Sequence, residues 1–372
     1  MYSISVCQTR TDRSLFEKIP ELLHGTDPSF TPPFPSSVAK FLEAKSPYQR
    51  QHGKIQGFIA RRNGVPCGRI AAITNRSHNA YHQDTTGFFG FFAAKNDPAL
   101  ARALFAGAEA WLREQGCGRI RGPYNPSIND DCGLLTEGFE GIPFVAMPWN
   151  PSYYESLLDA AEFKPIREMA AYMLDLSRGV PERIRKITAR MRERSGWTIR
   201  GLRMNRLKEE LATLYRLYNC TLDRNWGFVP VTLEDFLASA DDFRAIVDPE
   251  MILFAEKNGQ AGAFAVAFPN FNEILLQAKF TPPALRRLHI AWLMKTHRYH
   301  AQRLAVLGIA PGVRDQGLSA VLFAEQYERS ARRYQVSEVS WVEANNHEIQ
   351  RGAEMMHGRK YRTYKIFERP LA

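Results

Sequence analysis

Long apolar runs, paired cysteines and zinc-binding motifs are all missing from this sequence of 372 residues. No apolar stretch approaches the roughly 18 residues that a membrane-spanning helix needs, and the first residues have no apolar core of a secretion signal. The five cysteines are scattered, odd in number and without a Cys-x-x-Cys pair, which favours free thiols in a reducing compartment. The nine histidines form no metal-binding pattern, so we expect no metal. These absences predict a cytoplasmic protein.

Apolar residues, in contrast, are plentiful. Hydrophobic residues make up 45% of the chain and aromatic residues 12%, which is enough for substantial cores. A chain of 372 residues is expected to form about two domains.

The most informative segment joins a short apolar strand to an amphipathic helix. The strand covers Leu304 to Ile309, Pro311-Gly312 ends it, and apolar residues recur at helical spacing from Leu318. The main-chain amides between strand and helix converge, and the start of the helix adds a positive partial charge, as in sites for phosphate groups. Gly317 has no Cβ, so an anion can approach the main chain there.

The motif Arg314-x-x-Gly317-x-Ser319 resembles the Arg/Gln-x-x-Gly-x-Gly/Ala signature of the GNAT superfamily of acyl-CoA-dependent N-acyltransferases, with serine in the third place. Downstream, a strand over 337–343, a helix opened by Asn345-Asn346 and a closing strand over 361–368 follow in the family's order. The resemblance implies acetyl-CoA or a longer acyl-CoA as a substrate. The alternative is an ordinary strand-to-helix turn with a solvated Arg314.

The same resemblance assigns residues to the parts of CoA. It implies that the pantetheine arm pairs with the strand before the loop, at Leu307, Gly308 and Ile309. It implies that the pyrophosphate binds the residues of the loop, which are Arg314, Asp315, Gln316, Gly317, Leu318 and Ser319. Asn345 and Asn346 either bind the thioester or the acceptor, or cap the following helix.

The chain contains one pattern twice. Strand, Asn-Gly turn and strand run from Phe58 to Asn75 and again from Leu253 to Asn270, and a helical segment and a further strand follow in each half. The repeat resembles the GNAT fold read twice. It predicts an α/β (α+β) chain of two tandem GNAT-like domains, each with a mixed, mostly antiparallel central sheet flanked by helices. We expect domains at 1–176 and 198–372, joined by a basic helical linker at 177–197.

The first half has no counterpart of the phosphate loop. Asp97-Pro98 stands in its place, suited to the first positions of a helix but negatively charged where a phosphate would lie. We therefore expect a degenerate copy that does not bind CoA. Its polar residues Asn125, Asn129 and Asp130 either line an acceptor pocket between the two copies or form a turn of Asx hydrogen bonds.

Proton transfer is harder to assign. Many relatives take the general acid from a tyrosine on the last helix, and His357 and Tyr361 are the nearest substitutes here. His357 is alternatively a helix C-terminal cap. Glu343 ends the strand that opens the wedge and is the predicted base, with a salt bridge to Arg351 or Arg359 as its alternative role.

The net charge of +10 favours anionic partners. Acyl-CoA is one, and an anionic membrane surface at the inner membrane face is another. Residues 284–300 predict a basic amphipathic helix around Trp292, with Arg286, Arg287 and Arg298, as interfacial helices have; the alternative is a packed helix with a hydrated basic side. The basic linker is either a solvated helix or a contact for nucleic acid or an anionic membrane. For the protein as a whole we do not expect nucleic acid as a partner.

The resemblance thus implies an acyl-CoA-dependent N-acyltransferase acting on a primary amine. The architecture resembles the bacterial ceramide synthases, which acylate a sphingoid amine, so an amphiphilic acceptor is one expectation. The aromatic run from Phe88 to Phe92 either lines an acyl tunnel or forms a buried strand. Two alternatives stay open: a Fem-type aminoacyl-tRNA-dependent transferase, against which the intact loop argues, and a non-catalytic CoA-binding protein, which the missing tyrosine supports.

Overall fold

The computed structural model describes residues 2–35, 37–243 and 247–371. Met1 and Ala372, which bound the predicted domains, lie outside the described residues. In the first half the elements are β1 (Ser3–Val6), α1 (Arg10–His24), α2 (Ser37–Phe41), α3 (Pro47–Gln51), β2 (Ile55–Arg62), β3 (Val65–Thr74), α4 (Arg76–His82), β4 (Thr86–Ala94), α5 (Pro98–Glu114), β5 (Arg119–Gly122), β6 (Tyr124–Asn125), β7 (Asp131–Cys132), β8 (Leu134–Glu137), α6 (Tyr154–Ala160) and β9 (Lys164–Asp175).

The second half repeats most of this order. Its elements are α7 (Glu182–Ser195), β10 (Thr198–Gly201), α8 (Leu207–Thr221), α9 (Leu233–Phe243), β11 (Ile252–Lys257), β12 (Gln260–Pro269), α10 (Asn272–Gln277), α11 (Pro283–Thr296), β13 (Ala301–Ile309), α12 (Leu318–Ser330), β14 (Val336–Glu343), α13 (His347–Met355) and β15 (Arg359–Pro370). Short 3₁₀ helices lie at Leu176–Arg178, Met204–Arg206, Pro249–Met251 and Pro311–Gln316.

The chain forms two compact units, and each unit contains more than one segment of the chain. Unit 1 contains the chain up to Glu168, Ile274–Leu293 and the chain from Arg362 onward, and unit 2 contains Met169–Glu273 and Met294–Tyr361. In unit 1, β1 to β4 are antiparallel neighbours, β5 is parallel to β4, and β15 lies on β5. In unit 2, β10 to β13 are antiparallel neighbours, β14 is parallel to β13, and β9 lies on β14. Within each unit the strand pairing is mixed and mostly antiparallel, as predicted.

The closing strand of each repeat belongs to the unit of the other repeat. The segment from Met169 of β9 pairs with β14 in unit 2, and the segment from Thr363 of β15 pairs with β5 and β8 in unit 1. Local sequence patterns predict that a strand forms but not which strand it pairs with. The domain borders at 176 and 198 follow the repeat in the sequence and stay predictions.

Both Asn-Gly pairs form the tight hairpins that the sequence predicted. The backbone φ angles are +52° and +80° at Asn63 and Gly64, and +51° and +76° at Asn258 and Gly259. Positive φ at both central residues is the geometry of a type I′ turn, which matches the twist of the flanking strands.

The aromatic run is a buried strand. Phe88 and Phe89 in β4 are almost fully buried, and Phe89 packs against Phe105 of α5 and against Phe163. The five cysteines are all free thiols, as the scattered spacing predicted. None of the helices within residues 2–35, 37–243 and 247–371 is long and apolar enough to cross a bilayer.

Candidate functional site

Two parallel strands part in the sheet of unit 2. Residues 301–304 of β13 pair with residues 336–339 of β14, and the pairing ends there. The register of β13 against β12 shifts at this point. The shift is a bulge, in which Ala305 of β13 has no partner residue on β12. We call the opening beyond Leu304 and Val339 the wedge. The strand predicted to pair with pantetheine, residues 307–309, forms one edge of it.

Two buried polar atoms near the wedge have no hydrogen-bond partner among the described residues. These are Oγ1 of Thr221 in α8 and Nε1 of Trp341 in β14. Thr221 lies directly against β13, because a Cβ added at Gly308 would be 2.3 Å from this Oγ1. Buried polar atoms are almost always paired in folded proteins. A polar ligand bound in the wedge would supply hydrogen-bond partners for these two atoms.

The loop after β13 leads into α12, whose N-terminus has no side-chain cap. Residues Pro311–Gln316 form a 3₁₀ turn, and Gly317 has a left-handed backbone with φ +68°. Helix α12 follows without a side-chain cap, and its first intrahelical bond runs from Val321 N to Gly317 O at 3.4 Å. The amides of residues 318–320 therefore have no acceptor within the helix. They are suited to an anion, as the sequence predicted.

Arg314 precedes Gly317 by three residues, and its side chain makes only long contacts. Its guanidinium is 3.4 Å from Ile309 O, 3.5 Å from Thr221 O and 3.4 Å from Asp223 Oδ1. Distances of this length are at the outer limit of hydrogen bonding. A phosphate group would therefore compete easily for this side chain.

The other side chains of the loop face in different directions. Gln316 Oε1 accepts a hydrogen bond of 2.7 Å from Trp197 Nε1, and Leu318 is buried in the core of unit 2. Asp315 is exposed. Ser319 donates its hydroxyl hydrogen to Glu348, an acidic residue in the first turn of α13 that the sequence reasoning did not consider. The loop therefore offers main-chain groups rather than side chains to an anion.

Glu343, the predicted base, ends β14 at the outer part of the wedge. Its Oε1 accepts a hydrogen bond of 3.0 Å from Trp226 N, and no described residue donates to Oε2. The alternative salt bridge to Arg351 or Arg359 is not formed among the described residues. Nearby, Asn346 caps α13 by accepting from Ile349 N at 3.3 Å, and Asn345 is exposed.

Tyr361 and His357, the two predicted acids, lie in different surroundings. Tyr361 donates its hydroxyl hydrogen to Glu338, whose position is five residues before Glu343 on β14. At about 3.3 Å per residue, this places Tyr361 roughly 16 Å along the strand from Glu343. His357 is exposed and follows the last turn of α13 with φ +63°. The structure does not bring Tyr361 and Glu343 together.

A buried polar network at the parting point was missed by the sequence reasoning. Glu338 is fully buried, and its Oε1 accepts from Ser340 Oγ at 2.6 Å. Arg303 on β13 donates to Ser340 Oγ at 2.8 Å and lies 4.0 Å from Glu338. The available signal was a charged residue inside each buried strand, Arg303 in β13 and Glu338 in β14, because ions in buried strands are rare unless they are paired.

Unit 1 fills its equivalent positions with its own side chains. Asp97 caps α5 by accepting from Ala99 N and Leu100 N, and it accepts a further hydrogen bond from Tyr2. Where β4 and β5 part, Asn125 Oδ1 accepts a hydrogen bond of 2.5 Å from Phe91 N. A carboxylate at the helix start and a bridged opening both disfavour a bound phosphate and an acyl arm.

Asn129 and Asp130 form a local turn in unit 1. Ser127 Oγ donates to Asp130 Oδ2 at 2.6 Å, and Asn129 N donates to Ser127 Oγ at 3.2 Å. This is the Asx-type turn that the sequence left as one alternative. Burial raises the pKa of Asp130 to about 7, and the neighbouring Asp131 adds to the rise against the hydrogen bonds from Ser127. A carboxyl group that titrates near neutral pH is a candidate for a functional role.

Two curated proteins match the chain over nearly its full length. It is 30% identical over 378 residues to the bacterial ceramide synthase of Caulobacter vibrioides (strain NA1000 / CB15N). The alignment covers 99% of this chain and 98% of that protein. The chain is 28% identical over 368 residues to Protein YghO of Escherichia coli (strain K12). That alignment covers 97% of this chain and 94% of that protein. No protein-family model matches the sequence.

A solved structure confirms the predicted fold. The tandem GNAT protein from the clavulanic acid biosynthesis pathway superposes with a TM-score of 0.58 over 100% of this chain and 99% of that one. Its sequence identity to this chain is 11%, so the likeness shows the fold alone.

Proposed function

Because this chain belongs to the family of the bacterial ceramide synthase and has a tandem GNAT fold, we propose that it transfers an acyl group from acyl-CoA to a primary amine. The observation that carries the proposal is the geometry at the end of β13. Three features follow one another in the order that an acyl-CoA needs. They are the parting strands, the left-handed Gly317 and the uncapped amides at residues 318–320.

Each part of the donor has a matching group in unit 2. The pyrophosphate would accept hydrogen bonds from the amides at the start of α12, and Arg314 would exchange its long contacts for a phosphate oxygen. The pantetheine amides would pair with the free edge of residues 307–309, near the unpaired Thr221 hydroxyl. The thioester would then lie near the bulge at Ala305.

The chemistry requires the amine to be neutral before it attacks. The ammonium group loses a proton to a base, the nitrogen lone pair attacks the thioester carbonyl, and the tetrahedral oxyanion collapses with loss of the CoA thiolate. The amide nitrogen then releases its second proton, and the thiolate takes up a proton. The products are an amide and free CoA, and no oxidant or metal is needed for this balance.

We assign the first proton transfer to Glu343. Its Oε2 accepts no hydrogen bond from the described residues, so that oxygen is available to an incoming ammonium. Glu338 is less suited, because Ser340 and Tyr361 already donate to its two oxygens and it is fully buried. Tyr361, Glu338 and Arg303 then hold the parting point in shape rather than exchange protons with the substrate.

For the acceptor we propose a long-chain amine. The support is the family relation to a protein named a bacterial ceramide synthase, since a ceramide is the amide of a long-chain amino alcohol and a fatty acid.

The test is a reaction of the purified protein with acyl-CoA of short, medium and long chains and a long-chain amine, followed by mass spectrometry of the amide and by assay of the released thiol. The proposal predicts amide and thiol in equal amounts. Release of thiol without amide in every combination of donor and amine would overturn the N-acyl transfer. Tight binding of CoA without any turnover would favour the non-catalytic alternative.

A further inference from the structure

The outward face of α11 in unit 1 carries a group of exposed large apolar side chains. The exposed fractions are 54% for Leu285, 70% for Leu288 and 59% for Trp292, and Phe280 just before the helix is 85% exposed. A single exposed apolar residue is ordinary. The spacing of 285, 288 and 292, however, places three of them on one helix face at about 100° per residue.

The opposite face of α11 fixes this orientation. Ile290 and Leu293 are buried. Arg286, which the sequence placed on the basic side, points inward instead and donates to both carboxylate oxygens of Glu21 in α1, at 2.8 and 3.1 Å. Because the inner face is held by packing and by this double contact, the apolar face is turned to the outside by the fold of unit 1.

Basic residues accompany the apolar face. Arg287 and Lys295 are exposed, and α11 contains no acidic residue. At about 100° per residue, Lys295 falls only about 20° from Leu288 around the helix, whereas Arg287 falls about 100° from Leu288, on the flank of the helix. Leucine and tryptophan together with lysine and arginine are typical of helices that lie in the interface of an anionic bilayer. A protein partner with an apolar groove would not require this positive charge.

We infer that α11 docks on the surface of an anionic lipid bilayer. The helix axis lies in the plane of the membrane, with Phe280, Leu285, Leu288 and Trp292 at the boundary between headgroups and acyl chains. The aliphatic stem of Lys295 follows the apolar face, so that its ammonium group contacts lipid phosphates, and Arg287 contacts them from the flank of the helix. This inference does not depend on the proposed acyl transfer, because it uses only the exposed face of α11.

The test is sedimentation of the full-length protein with phosphatidylcholine vesicles, with and without phosphatidylglycerol. We expect binding to rise with phosphatidylglycerol and to fall with salt. The double variant Leu288→Ala/Trp292→Ala should bind at least about tenfold more weakly, because it removes most of the inserted apolar area. Arg287→Glu/Lys295→Glu should lose the dependence on phosphatidylglycerol. Val65→Ala, an equally exposed apolar residue in the β2–β3 hairpin, is the matched control and should bind like the wild type.

Two outcomes would overturn the inference. One is equal binding by the wild type and by Leu288→Ala/Trp292→Ala, provided that thermal melting shows both to be folded. The other is a dimer of the wild type in sedimentation velocity that the same double variant abolishes, because α11 would then cover a second copy of the chain. Loss of tryptophan quenching by brominated acyl chains in Trp292→Phe would support insertion of this ring, and unchanged quenching would argue against it.

Discussion

The hydroxyl group of Ser319 donates a hydrogen bond to the carboxylate of Glu348, which links the third position of the Arg314-x-x-Gly317-x-Ser319 motif to the first turn of α13. The contact places a negative charge next to the helix start that is proposed to bind pyrophosphate. A carboxylate and a pyrophosphate repel each other, so the acyl-CoA complex requires Glu348 to move away or to tolerate this repulsion.

Glu348→Gln should therefore raise the affinity for CoA. The substitution keeps the size of the side chain and removes the charge. Charges about 4 Å apart near water interact by about 1 kcal/mol, so we expect an increase of roughly fivefold in isothermal titration calorimetry. Glu354→Gln, an exposed carboxylate later in α13, is the control and should change the affinity little. Weaker binding by Glu348→Gln would show that Glu348 supports the loop rather than opposing the ligand.

Gly317→Glu should abolish the binding of CoA, and the wild type should bind one CoA per chain. A side chain at Gly317 would occupy the approach to the helix amides, and its Cβ would lie 1.7 Å from Met191 Cε. Gly259→Glu is the matched control, because Gly259 also has a positive φ but has open space around it. Two equal CoA sites in the wild type, or full CoA affinity in Gly317→Glu, would contradict the proposal that CoA binds only at the Gly317 loop of unit 2.

Glu343→Gln should lower kcat about 10²- to 10⁴-fold, the range for loss of a general base. The affinity for acyl-CoA should hardly change, since Glu343 faces the acceptor. Steady-state kinetics with titration of CoA separates the two effects. Turnover within about threefold of the wild type would assign the proton to another group.

Tyr361→Phe distinguishes a structural hydroxyl from a catalytic one. Because Tyr361 donates to the buried Glu338, we expect the free energy of unfolding to fall by about 1 kcal/mol, the usual contribution of one hydrogen bond. We expect kcat to stay within about tenfold of the wild type. A loss of kcat greater than about 10²-fold without loss of stability would instead identify Tyr361 as the acid for the leaving thiolate. Denaturant unfolding and kinetics on the same sample give the answer.

The sequence predicted those parts of the molecule that depend on local patterns. The two Asn-Gly hairpins, the strand before Pro311 and the helix after Gly317 follow from backbone preferences and apolar spacing, which act over a few residues. The cap of α13 by Asn346 is equally local. These features lie where the structure has them because few other conformations suit those residues.

The remaining features depend on pairings across long sequence distances. The exchange of β9 and β15 between the units, the hydrogen bond from Ser319 to Glu348 and the pair of Tyr361 with Glu338 each join residues that no local pattern connects. The inward turn of Arg286 depends on Glu21, more than two hundred residues earlier in the chain. A side chain's role in such contacts follows from the fold, and a sequence pattern gives only its chemical type.

Asp130 supplies a prediction about pH. Its pKa is raised by burial from 3.8 to about 7, so the folded protein retains a proton that the unfolded chain has released. The contribution to stability is complete below the unfolded pKa and is lost as the pH rises through the folded pKa. Asp130→Asn cannot ionise. We expect this variant to be more stable than the wild type above pH 7, by about 1 to 2 kcal/mol because Asp130 is only half-buried.

The difference between Asp130→Asn and the wild type should disappear below pH 3.8, where Asp130 is protonated in both the folded and the unfolded chain. Urea unfolding across this pH range measures it. Asp84 in the same unit is the opposite case. Burial raises the pKa of Asp84, but the hydrogen bonds from Thr86 and Thr85 lower it by more, so the net shift is downward. Asp84→Asn should therefore be less stable than the wild type above pH 4. If Asp130→Asn were also less stable at high pH, the ionised carboxylate would be the stabilising form, and the pKa of Asp130 would not be raised in the folded protein.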